Sequence, residues 1–126
     1  MSQGIVDFSP YLAGLVARAR AARHGRAQRA AAARAKLPAV VRLLVEDFGA
    51  RRVVLFGSLA AGGFHEDSDI DLLVEGIAPE RWYEADARAA AAADPFELDL
   101  VPASAARSSV LRRAVREGEV LHDGTR

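Results

Sequence analysis

Cysteine is absent from the 126 residues, which excludes a disulfide framework and a thiolate metal site. Long apolar runs are also absent, and the longest fall far short of the roughly 20 residues that a bilayer-spanning helix requires. The start, MSQGIVDFSP, lacks the basic stretch followed by an apolar one that marks a secretory signal, so a cytoplasmic protein is expected. Net charge is missing as well. The 17 Lys+Arg balance 17 Asp+Glu, which removes any global attraction to nucleic acid. Lys36 is the only lysine, an arginine and alanine bias of the kind a GC-rich genome produces, and it carries no mechanistic weight.

Charge is nevertheless segregated along the chain. Between Phe8 and Val45 stand eight basic residues and no acidic one, whereas Glu66 to Asp99 is rich in Asp and Glu. The length suits one domain with a single core and leaves no room for a second catalytic domain.

From Tyr11 to Ala35, alanine, arginine and leucine favour a helix, with only Gly14 and Gly25 opposing it. Leu12, Leu15, Val16 and Ala19 form a thin apolar stripe, while Arg20, Arg23, Arg26 and Arg29 wind round another side. Pro38 is expected to restart the helix, and Leu37, Val40, Val41, Leu44, Val45 and Phe48 then give it a core-facing side ending near Gly49. Val53 to Phe56 reads as a strand buried on both faces. Ile70, Leu72 and Val74 mark a second strand that includes Asp69 and Asp71 and ends at Gly76. A helix from Pro79 through Trp82 to about Ala93 follows, then a third strand from Phe96 to Val101, closed by Pro102. The last helix, with Ser108 as its cap, ends at Gly118, and Val120 and Leu121 pack as a short tail. The fold class is therefore α/β (α+β), a small mixed sheet flanked by helices. Residues 1–36 form a basic helical extension and residues 37–126 the main domain.

The stretch GSLAAGGFHEDSDID, residues 57 to 71, carries the chemistry. On one strand Asp69 and Asp71 point the same way, with Cα atoms roughly 6.5 Å apart. Two unpaired carboxylates so close repel each other, and their natural partner is a divalent cation such as Mg²⁺, completed by phosphates and water. Asp99 on a neighbouring strand can add a third carboxylate, enough for a second ion, although Glu97 shares its face and can take its place. Gly57 lets the backbone approach a ligand closely, and the Ser58 hydroxyl and the amides of a following helical turn can meet phosphate oxygens. His65 is expected to be an exposed loop residue.

These residues resemble the minimal nucleotidyltransferases of the DNA polymerase β superfamily, whose signature is GS, ten residues, then DxD. Gly57-Ser58 and Asp69-Ile70-Asp71 fit it without a gap, between LFGS and SDIDLLV. The resemblance covers about Leu37 to His122. It implies a polymerase-β-like core in which Asp69 and Asp71 bind two Mg²⁺ ions and Gly57 and Ser58 bind the triphosphate of ATP. Asp99 completes one metal site and orients or deprotonates the acceptor hydroxyl. The family often carries arginine after the serine, whereas Leu59, Ala60 and Ala61 stand here. Arg51, Arg52 or an N-terminal arginine is left as the candidate replacement.

Small members of this family resemble the antitoxin half of toxin–antitoxin pairs, which adenylylates a HEPN-domain partner. That reading implies transfer of AMP to a hydroxyl of the HEPN toxin. The alternative is a catalytically weak or inactive nucleotide-binding antitoxin that neutralises its partner by contact. A drug-modifying transferase ranks lower, because no added helical domain is present to bind the acceptor. Nucleic acid ranks lower still, the basic helix lacking aromatics for base stacking. The helical extension is expected to serve assembly, through its own domain, a second copy of the chain or an acidic partner surface.

Overall fold

The structure, a computed structural model, describes residues 7–124; the terminal segment Met1–Val6, part of the stretch read for a signal, lies outside them. Helix α1 spans Ser9–Arg42 and continues into one π-helical turn, Leu43–Asp47. Strand β1 (Arg52–Phe56), the single turn α2 (Ser58–Ala61) and β2 (Ile70–Glu75) follow. Next come α3 (Trp82–Ala93), entered through a 3₁₀ turn at Pro79–Arg81, and β3 (Leu98–Pro102). Helix α4 (Ser108–Glu117) and β4 (Glu119–Asp123) end the fold.

The four strands lie in the order β3-β2-β1-β4. β1 is antiparallel to both β2 and β4, while β2 and β3 run parallel, linked by α3 as the crossover. The expected mixed sheet flanked by helices is present. Alternation along the strands splits their side chains between two faces. Val53, Leu55, Ile70, Leu72, Val74 and Leu100 face α1 and α3. There Ala33, Leu37 and Val40 of α1 meet Ala85, Ala89 and Ala93, whose four-residue spacing puts small side chains along one line of α3 and lets it lie close to its neighbours. On the opposite face Val54, Phe56 and Leu73 are covered by Ala114 of α4.

Four local expectations are corrected. Pro38 does not restart the helix; it lies exposed inside α1, which runs unbroken across residues 36 and 37, where the sequence reading separates extension from domain. Val120 and Leu121 are not a tail but part of β4, because the free edge of β1 offers them a ladder. Ser108 is the first helical residue of α4 and Arg107 precedes it, with no side-chain cap. Asp69 sits just ahead of β2, not within it.

Only the second half of α1 packs on the domain. Arg34 pairs with Glu119 at 2.9 Å and donates to the Leu59 carbonyl. Before Arg29 the helix is a basic arm, and Phe8, Tyr11, Leu12, Leu15 and Val16 all stand exposed on it. They find no cover in this chain's own domain. Among the described residues no helix is long and apolar enough to cross a membrane.

Candidate active site

Strand β1 ends at Phe56, and Gly57 turns the chain into α2 with φ 75°. An L side chain rarely adopts that conformation, and a Cβ here would also collide with the Asp71 carboxylate. Glycine is therefore required twice over. Its small size lets Asp71 lie directly against the turn. Because Ala61 is the first residue of α2 to bond back, to Gly57, the amides of Ser58, Leu59 and Ala60 have no intrahelical acceptor and remain available beside the Ser58 hydroxyl.

In the ladder Asp71 stands opposite Phe56 on one side and Asp99 on the other. Both aspartates take the sheet face covered by α4, beyond the apolar patch of Phe56 and Leu73. Asp71 is half-buried, whereas Asp69 and Asp99 are exposed. Burial first, and then the charges of Asp99 and Asp69, push the Asp71 carboxyl up to about 6 against an opposing pull from Arg113. The three carboxylates thus share one field. Glu97 is exposed ahead of β3, and its carbonyl accepts from the Ile70 amide, so Asp99 holds the register position beside Asp71.

Chemically, this donor set fits a hard divalent cation: oxygen ligands of like charge, one of them partly desolvated and short of a counter-charge. Among the described residues no group of three His, Cys, Asp or Glu side chains is placed to hold a metal ion. An open pair of carboxylates suits Mg²⁺, which keeps several waters and takes substrate phosphates as ligands.

The candidate replacements for the missing arginines divide. Arg51 and Arg52 stand at the far end of β1, in ion pairs with Glu75 and, for Arg52, Asp123. Arg113 of α4 is the cation that the Asp71 field includes, and the sequence reading passed over it. Its one sequence signal is the basic cluster Arg112, Arg113 and Arg116, which shows no destination until α4 is seen to lie on this sheet face. His65 is exposed and shapes its own loop, where its Nδ1 accepts from the Asp67 amide.

Residues 37–121 match the family model for the nucleotidyltransferase domain. No curated protein matches the chain at a significant level. Among solved structures, one similar chain is a minimal nucleotidyltransferase, 29% identical with a TM-score of 0.58, matched over 68% of this chain and 89% of that one. A toxin–antitoxin structure with AMP-PNP is 27% identical with a TM-score of 0.57, over 67% and 71% of the two chains. The fold is also that of a complex between a tri-AMPylated Shewanella oneidensis HEPN toxin and an MNT antitoxin, with 22% identity, a TM-score of 0.56 and 72% of each chain covered.

Proposed function

Because this chain belongs to the nucleotidyltransferase domain family, we propose that it transfers AMP from ATP to a hydroxyl of a HEPN-domain toxin, as the antitoxin of the pair, with Mg²⁺ as cofactor. The observation that carries this reading is the register of Asp71, set against the Gly57 turn on one side and Asp99 on the other. An AMP-PNP complex and an AMPylated HEPN toxin among similar structures support the nucleotide and the acceptor.

In this reading the Ser58 hydroxyl and the neighbouring amides bind the triphosphate, whose path Gly57 leaves open. Asp69 and Asp71 hold the metal and Asp99 completes one site. Bound Mg²⁺ supplies charge neutralisation for the phosphates and for the oxygens of an in-line displacement. Asp99, exposed at the rim, accepts the proton of the attacking hydroxyl and sets its direction, as the hydroxyl oxygen bonds to the α-phosphorus and the bond to the β-phosphate breaks to release pyrophosphate. Arg113 offers the positive charge that α2 lacks. The acceptor docks from the side on which Asp69 and Asp99 are exposed.

Incubation with ATP labelled in its α-phosphate and a HEPN-domain protein from the same source should place AMP on a hydroxyl of that protein. Asp69→Asn combined with Asp71→Asn should cut transfer below about a thousandth while the fold is retained. Full transfer by the double variant, or in EDTA, would sink the assignment. The second reading, neutralisation by contact alone, draws on Leu59, Ala60 and Ala61 standing where charges would bind phosphate. It predicts that the double variant still silences the toxin and that the wild type leaves no AMP on it.

A further inference from the structure

Asp69 stands just outside the β-ladder, held on one side by Ile70, whose amide donates to the Glu97 carbonyl, and on the other by the loop from Gly62 to Ser68 that delivers it. Besides the Gly62 and Gly63 amides, which bond to the Ser58 carbonyl, and the Asp67 amide, which bonds to His65 Nδ1, that loop has three anchors. Phe64 is buried in the core, His65 and Ser68 close a local turn through His65 N–H to Ser68 Oγ at 3.0 Å, and Arg29 of α1 donates to the Glu66 carbonyl at 3.2 Å. The first two belong to the loop itself. The third comes from 37 residues earlier, outside the segment that matches the family.

Arg29 is built into this position. Its guanidinium carbon lies 5.0 Å from the Phe96 ring centre and 5.8 Å from that of Phe64, and the two rings themselves meet tilted at 6.1 Å. Its Nε is buried with no hydrogen-bond partner. A planar cation laid on two aromatic faces loses water and gains quadrupole attraction, and the fork that remains points at backbone. Phe64 opens the loop and Phe96 precedes β3, so one side chain ties α1 to both segments that lead into the carboxylate strands.

We infer that Arg29 is a positioning residue: it fixes the 62–68 loop and thereby sets Asp69 for metal and nucleotide. The inference rests on the transferase reading for its purpose, and its structural half can be tested without it. The geometry also changes the role expected of the basic extension, which here reaches into the site's support and is not confined to assembly.

Arg29→Met keeps length and ring contact but removes the donor, and Arg29→Lys restores a single donor without the planar fork. Hydrogen exchange on the full chain should show amides of residues 62–69 exchanging about tenfold faster in Arg29→Met, with β1 and β2 unchanged. In the same variant the Mn²⁺ concentration for half-saturation, read with AMP-PNP present, should rise roughly tenfold, and Arg29→Lys should fall between. Unchanged loop exchange in Arg29→Met overturns the clamp. A loosened loop with unaltered Mn²⁺ and AMP-PNP binding overturns the positioning role. Failure of the wild-type chain to take up Mn²⁺ and AMP-PNP counts against the transferase reading instead, while loop exchange still decides the clamp.

Discussion

Asp71 is the residue where charge, backbone and burial meet. Its carboxyl is pushed up to about 6 from an ordinary 3.8, chiefly by burial, so the folded chain holds that proton more tightly than the unfolded one. Between roughly pH 4 and 6 the folded state therefore binds more protons, and stability falls as pH rises through this window. Above it the full cost is present. Because the group is half-exposed, solvent screening reduces that cost to about 1–2 kcal/mol. Asp71→Asn removes the titration. In EDTA the variant should melt some 3–7 °C above the wild type at pH 7.5 and level with it near pH 3.5. A melting difference that ignores pH would show that the Asp71 charge is not strained in the metal-free state. At this scale the aspartate pair was legible, because a one-residue gap next to a Gly-Ser turn is a local pattern. Arg29 and Arg113 were not, since each reaches the site from a helix distant in sequence.

Elements follow the same division between local and distant causes. Of the three strands around the site, β2 and β3 were readable from apolar alternation and β1 from its short, wholly apolar run, and α3 from Pro79 at its entrance. β4 was not, because Val120 and Leu121 are too short a run to declare a strand until β1 presents an unpaired edge. Its ladder even carries an irregularity between Val53 and Val54, which no sequence period would suggest. Pro38 misled for a related reason: proline removes a donor and crowds the preceding turn, and a break is the usual result. Here Leu37, Val40 and Leu44 are buried on one side and hold the helix together across it, while Pro38 faces solvent. Pro38→Ala should therefore restore the amide bond toward Arg34 without disturbing packing. The gain is about 3 kcal/mol of helix propensity less about 1 for the freer unfolded chain, a net of about 2 kcal/mol. Urea unfolding measures it. A loss of stability on this substitution would mean that α1 needs its proline for shape.

Across the whole molecule, charge is sorted between an arm and a body. The family match begins at Leu37, and among the described residues nothing covers Phe8, Tyr11, Leu12, Leu15 and Val16 ahead of Arg29. Over Ser9 to Gln28 this arm is about 30 Å long. Five partly exposed side chains fall well below the ~800 Å² per partner that a stable interface usually buries, so the stripe alone is too small to hold two copies together. Two arms would also bring like charges together. In the proposed pairing, an acidic partner docked on the body would offer both missing halves, an apolar seam and compensating charge, at little further entropic cost. Removal of residues 1 to 35 would cut away Arg29 and the buried Ala33 and damage the domain. Removal of residues 1 to 20 spares both. The shortened chain should keep its melting temperature and, by light scattering, the oligomeric state of the intact chain. Its affinity for the HEPN protein should fall about tenfold, and that affinity should weaken less steeply with salt than the intact chain's. Equal affinity for both forms from low to high salt would show that the arm takes no part in recognition, whatever its arginines do closer to the site.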